Sequence, residues 1–154
     1  MIQLTTNIQV KKSADFIYEF LLNLDKEKYC KWHSAHKDFT VIKRNEQEIG
    51  SILYFKEIVD QTVVNFKWRI IEITENKLVK MRALYFYPIC LTIGLESISK
   101  EATIVHHHLH VGFKLKFLNL IPDWIIGNTL FSQRKRKSQQ QHAIEEYKNL
   151  EHLL

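Results

Sequence analysis

His142 and Glu146 stand four residues apart in this 154-residue sequence. On a helix that spacing stacks two side chains on one face, close enough to chelate a single ion. It equally describes an ordinary solvent-exposed pair. A carboxylate, Glu57, occupies a place where a strand pattern calls for an apolar residue. In the stretch from Ser51 to Val59 the odd positions Leu53, Phe55 and Val59 share a face with Glu57, so Glu57 is expected to point inward. An ionised carboxylate on a core face is costly unless it is paired or bound to a cation. Either a salt bridge to Arg69 or Arg82 on a neighbouring strand or a metal ion would meet that need. The run His106-His107-His108-Leu109-His110 is divided by the same alternation. His107 shares a face with Val105, Leu109, Val111 and Phe113 and is expected to look inward, whereas His106, His108 and His110 lie on the solvent face. A single inward histidine is either a hydrogen-bonded core residue or a group placed for acid-base work. His33 and His36, three apart, follow Trp32, whose bulk suits an anchored segment.

These residues need elements to hold them. Gln3 to Val10 has strand composition, and Ser13 is a good N-cap for a helix carrying Phe16, Ile17, Phe20, Leu21 and Leu24 at three- and four-residue steps. A short second helix is expected from Asp25 towards His33. Six strands follow, over about Phe39 to Arg44, Ser51 to Val59, Thr62 to Thr74, Leu78 to Tyr87, Leu91 to Ser99 and Thr103 to Phe113. Asn45 with Gly50, Asp60-Gln61, Glu75-Asn76, Pro88 and Ser99-Lys100 separate them as turn residues. After Phe113 the pattern predicts a helix of about thirty residues with Phe117, Ile121, Trp124, Asn128 and Phe131 on one face and Pro122 near its start. The expected class is therefore α+β, a single domain over residues 1–154. A curved antiparallel sheet of about seven strands must bury one face against the long C-terminal helix, with two short helices after the first strand. This order resembles the helix-grip fold of the START and Bet v 1-like superfamily. That resemblance implies an internal cavity and a small hydrophobic or aromatic molecule inside it, for which Phe55, Phe66, Trp68 and Tyr85 would form a wall.

A narrower resemblance rests on two motifs. Tyr29-Cys30-Lys31-Trp32-His33-Ser34-Ala35-His36 resembles the Tyr-x-x-Trp-His-x-x-His element of the diacetylphloroglucinol hydrolase and phloretin hydrolase family, and the stretch from His142 to Leu150 resembles its closing His-x-x-x-Glu-aromatic-x-Asn-Leu helix. The histidine-rich strand occupies a comparable place between them. The resemblance implies zinc held by His36, Glu57, His142 and Glu146, with His33 as the competing ligand to His36, and hydrolysis of a carbon-carbon bond joining an acyl group to a phenolic ring. Expelling the ring carbon needs a proton donor, for which His107, or else a nearby tyrosine, is the expected general acid. Two imidazoles and two carboxylates suit zinc best among common metals, while manganese, iron or cobalt would accept the same set. The chain departs from the family after its histidine strand, where Lys114 to Leu118 replaces an Arg-Ser-Arg-Phe-Trp-like segment. The competing reading is a metal-free carrier of a lipid or other hydrophobic molecule.

Composition narrows the remaining classes. Hydrophobic residues make up 45% and charged residues 25%, an ordinary globular balance. The apolar stretches are too short and interrupted to cross a bilayer, and the first residues lack the basic and apolar regions of a signal peptide, so a cytoplasmic protein without membrane insertion is expected. Cys30 and Cys90 make no disulfide framework and read as reduced packing residues. The net charge of +5 owes much to Arg134, Lys135, Arg136 and Lys137. Four consecutive helical residues point all around the axis, a solvated turn more than a nucleic-acid footprint. No nucleic-acid partner is expected, and a homodimer is compatible with the sequence.

Overall fold

A computed structural model describes residues 2–112 and 132–153. Its elements are β1 (Ile2–Val10), α1 (Ala14–Leu22), α2 (Lys26–Trp32), β2 (His36–Lys43), β3 (Ile52–Val59), β4 (Thr62–Thr74), β5 (Leu78–Ala83), β6 (Ile89–Ser99), β7 (Ala102–Val111) and α3 (Gln133–Asn149), closed by a 3-10 turn (Leu150–His152). The strands form one antiparallel sheet in the order β1-β7-β6-β5-β4-β3-β2. Strands β2 to β7 follow one another as a meander, and β1 pairs with β7, so β1 and β2 are the two edges. This is the expected helix-grip arrangement.

Local sequence explains most boundaries. Residues of β1 alternate strictly between buried and exposed, the mark of a strand with one face on the core. The Ser13 hydroxyl accepts from the Phe16 amide and starts α1, and Asp25 accepts from the Lys28 amide and starts α2. Between β3 and β4, Asp60 and Gln61 both have positive φ (48° and 63°). A two-residue turn of this hand matches the twist of the flanking strands, and Asp tolerates the left-handed conformation better than most residues.

Three boundaries differ from expectation. Strand β5 ends at Ala83, not Tyr87. Pro88 lacks an amide and restricts Tyr87 before it, so pairing resumes only at Ile89 despite the strand propensity of Tyr85-Phe86-Tyr87. Strand β2 begins at His36, three residues before Phe39. The C-terminal helix starts at Gln133: Ser132 has extended backbone (φ −54°, ψ 158°), and its hydroxyl accepts from the Lys135 amide. The expected helix from Phe113 therefore does not run unbroken through Ser132, and the expected face of Phe117, Ile121, Trp124, Asn128 and Phe131, with Pro122, lies outside the described residues.

The core lies between the concave face of the sheet, α1, α2 and the last turns of α3. Val10, Ile17, Val105, Tyr147 and Leu150 are at most 1% exposed, and a fully buried side chain of this size contributes roughly 1.5–3 kcal/mol. Two hydrogen bonds tie α2 to α3. The Trp32 indole N–H donates to the Glu146 carbonyl at 2.6 Å, and the Asn149 amide donates to the Trp32 carbonyl at 3.0 Å. The two sequence motifs are thus joined by side-chain-to-carbonyl hydrogen bonds that use none of the candidate ligand side chains.

Candidate metal centre and cavity

Register brings the first two residues of the site together. His36 and Glu57 are direct partners across β2 and β3, but the next pairs are Asp38 with Lys56 and Phe39 with Phe55. Lys37 is therefore an extra residue in β2, a bulge that reverses the alternation. Counting back from the inward Phe39 by twos would place His36 outside. The bulge places it inside, where it is 3% exposed and stacks on Tyr29, with ring centroids 3.9 Å apart and planes within 5°.

Helix α3 supplies the other two. His142 Nε2 lies 3.0 Å from Glu57 Oε2. Glu146 Oε1 lies 3.5 Å from His36 Nε2, and Glu57 Oε2 lies 3.9 Å from the same nitrogen. Glu57, His142 and Glu146 line a cavity of about 440 Å³ between sheet and helix, in contact with its apolar walls. Among the described interactions Glu57 pairs with His142 and His36, the imidazoles, where the sequence also allowed Arg69 or Arg82.

Hydrogen bonding decides which histidine offers a lone pair. The His36 Nδ1 lies 2.8 Å from the Tyr29 carbonyl, which can only accept, so His36 carries its proton on Nδ1. Its Nε2 is left as an acceptor, and it is buried with no hydrogen-bond partner among the described residues. A buried unpartnered nitrogen is costly in a native structure and calls for a missing partner. His33, the competing ligand, does not point away from the cluster: His33, His36 and His142 hold ring nitrogens within 4.8 Å of one another, and the His33 and His142 rings meet edge to face at 4.6 Å. Proximity alone does not make His33 a donor to an ion. Its Nδ1 accepts from the Ala35 amide at 3.0 Å, so its neutral ring is protonated at Nε2, which faces Glu145 Oε2 at 3.4 Å.

A tetrahedral zinc ion with ligands at about 2.0–2.1 Å separates its donor atoms by roughly 3.3 Å. The distances of 3.0, 3.5 and 3.9 Å within the cluster bracket that spacing. On the spacing of these three donor pairs, and with the unpartnered His36 Nε2, the residues present fit a divalent ion.

Electrostatics sharpen the contrast among these groups. Burial pushes the Glu146 carboxyl up to about 8, with the field of Glu57 adding to it and His142 opposing. Burial lowers His36 to about 4, against the Tyr29 carbonyl and Glu57, which favour its charged form. His142 goes the other way: burial would lower it, but the hydrogen bond to Glu57 and the charges of Glu146 and Glu57 outweigh that and raise it. His107 faces the cavity as its parity requires and lies beside Tyr147 at 6.0 Å. Burial, helped by His142, lowers it to about 4.

The cavity wall includes the expected Phe55, Phe66, Trp68 and Tyr85, with Leu53, Met81, Leu91 and Ile93. Sequence reasoning missed further contributors, two of which bear on the polar side. Tyr29 backs His36 and also lines the cavity. Lys135, assigned to a solvated turn, lines it too, on the face of α3 that continues through Gln139, His142 and Glu146. The three- and four-residue spacing of that face was the available signal. Arg134, its neighbour, is instead exposed and pairs with Asp60 at 3.1 Å.

No protein-family model and no curated protein matches this sequence. Solved structures match throughout its length. TTHA0849 from Thermus thermophilus superposes with a TM-score of 0.73 at 12% identity, covering 98% of this chain and 95% of that one. A START superfamily protein from Mycobacterium smegmatis gives 0.61 at 17%, covering 94% and 97%. The Zhui aromatase/cyclase from Streptomyces sp. R1128 gives 0.63 at 12%, covering 95% and 93%. At these identities the likeness establishes the fold alone, that of START and Bet v 1-like proteins. No helix among the described residues is long and apolar enough to cross a membrane.

Proposed function

We propose that this protein binds a small hydrophobic molecule with an aromatic part in the cavity between sheet and helix. The observation that carries this reading is the cavity itself, about 440 Å³ with walls of Leu, Ile, Phe and Trp and a few polar groups gathered at one side. Ligand sites commonly have this size and this division of labour. Two similar folds are those of proteins described as aromatase/cyclases, which is consistent with an aromatic ligand. The test is a fluorescence titration with anilinonaphthalene sulfonate, followed by displacement with an acylated phenol and with a fatty acid. Saturable binding that Leu91→Trp abolishes supports the reading, and unsaturable binding indifferent to Leu91→Trp sinks it.

A second reading, metal-dependent hydrolysis, is favoured by the unpartnered His36 Nε2. In it His36, Glu57, His142 and Glu146 hold a divalent ion, zinc by the donor set. A bound ion would supply Lewis acidity and a water whose pKa falls roughly towards 7. The reaction that the motifs suggest adds water across an acyl-aryl bond: hydroxide joins the acyl carbon, the carbon-carbon bond breaks with its electron pair going to the ring, and the ring carbon takes the remaining proton. Phe55, Phe66 and Trp68 would orient the ring and exclude bulk water. His107, expected from the sequence to act as a general acid, is held neutral at about 4. A neutral ring better suits a hydrogen bond to a ligand oxygen than proton donation, and we assign His107 that positioning contact. Metal analysis of protein purified without chelator, then incubation of the zinc-loaded protein with an acylphloroglucinol, tests this reading. Absence of stoichiometric metal removes it and leaves the carrier.

A further inference from the structure

The polar cluster has a second side. Besides the apolar cavity, His142 also lines a groove of about 470 Å³ on the outside of the molecule, whose wall includes His33, Ser34, Gln141 and Glu145. The groove runs along the seam between α3 and the start of β2. Because β2 is an edge of the sheet, no further strand among the described residues covers that seam. One side of His142 therefore meets Leu, Ile and Phe, and the other meets carboxylate, amide and hydroxyl groups.

We propose that this groove is the route by which a divalent cation and its water reach and leave the cluster, separate from the route taken by the hydrophobic ligand. The inference rests on the metal reading above and adds to it a path. A hydrated cation sheds water only as other ligands replace it, and the Leu, Ile, Phe and Trp walls of the cavity offer none, although Asp60, Ser138 and His142 line the cavity as well as the groove. The groove offers a succession of them. Glu145 stands at its outer side, with its carboxylate half exposed and held by Gln141 at 2.8 Å and His33 at 3.4 Å. Asp60 follows, already shared with Arg134, and His142 ends the path beside the unpartnered His36 Nε2. The lysine in the groove wall, Lys37, has its ammonium on the Ser34 carbonyl at 2.6 Å, which fixes its charge at the rim. A ligand filling the cavity would then leave the ion exchangeable with solvent.

Cobalt(II) uptake, followed by its visible absorption in stopped flow, tests the path without reference to turnover. Ser34→Trp and Gln141→Trp place an indole in the groove from two positions in its wall and leave the cluster residues intact. Both are expected to slow cobalt(II) uptake and its removal by chelator about tenfold or more, with the final amount bound unchanged. Wild-type protein saturated with anilinonaphthalene sulfonate is expected to load cobalt(II) at its ordinary rate. Uptake that the dye blocks, or that neither tryptophan slows, overturns the proposed path while leaving the metal centre standing. Failure of the wild type to bind cobalt(II) at all overturns the metal reading, and the path with it.

Discussion

Two faces of one strand carry histidines that differ in almost every physical respect. On the outer face of β7, His106 lies 2.9 Å from the Asn7 side chain and 2.8 Å from Glu96, and His108 lies 3.0 Å from the Thr5 hydroxyl. On the inner face, His107 looks into the cavity beside the Tyr147 ring, and behind Glu57 and Glu146 of the cavity wall the Nε2 of His36 has no hydrogen-bond partner among the described residues. Histidine is abundant on both sides. The outer rings of His106 and His108 have their partners, whereas the buried His36 Nε2 on β2 has none among the described residues, and such incompleteness is the mark of a ligand or ion still to come.

The comparison breaks most visibly at His142. His142→Ala removes a proposed ligand, and metal affinity measured by competition with a chromophoric chelator should fall by more than the roughly 10–100-fold typical of changes behind the ligands. Unfolding by urea should remain cooperative. An unchanged affinity would place the ion, or its absence, elsewhere.

Glu146 gives the next effect, and it has a definite sign. With its folded value raised to about 8, the carboxyl keeps its proton where the unfolded chain, near its ordinary 4.5, has lost it. Its contribution to metal-free stability is full below the unfolded value and disappears as pH rises through the folded one. His36 and His107, lowered to about 4, contribute stability that is full above their unfolded value of 6.5 and is lost as pH falls through the folded values. Glu146→Gln cannot ionise, so without metal it should be more stable than the wild type at mildly alkaline pH by about 1–3 kcal/mol. Urea denaturation against pH measures this directly, and a variant that declines with pH in parallel with the wild type contradicts the assignment.

Smaller effects test the two faces of β7 directly. His107→Leu should weaken binding of an oxygen-bearing aromatic ligand about tenfold while barely changing that of a pure hydrocarbon, the difference one hydrogen bond makes. Isothermal titration distinguishes the two, and equal losses for both ligands would reduce His107 to a wall residue. His106→Ala, on the solvent face, should change stability by within about 0.5 kcal/mol and leave metal and ligand affinities alone.

Much of this could be read from the sequence, and the failures have physical reasons. The first strand, the cap at Ser13, the short helix from Asp25 and the inward Glu57 follow from short-range rules that tertiary packing did not override. His142 and Glu146 share the inner face of α3 as their spacing implied. His36 was harder. Its inward direction depends on one unpaired residue, and strand parity counted from Phe39 gives the opposite answer. Nor could spacing choose between His33 and His36, because which ring nitrogen is left free depends on the carbonyl of Tyr29 and the amide of Ala35, backbone groups to which a sequence pattern is blind. The early end of β5 is a third case, where Pro88 outweighed the strand propensity of the aromatic residues before it.

The extra residue at Lys37 makes the site sensitive to length as well as to side-chain identity. Shortening β2 by that one residue would keep all four proposed ligands in the chain and rotate His36 out to solvent, away from Glu57 and the cavity. An aligned relative could thus retain every histidine and glutamate and still lack the pocket, whereas another with a different residue at position 37 would keep it. For the proposed centre, a gap of one position near the start of β2 would be better evidence of loss than many substitutions elsewhere, and it offers a way to sort relatives that likeness of fold alone cannot separate.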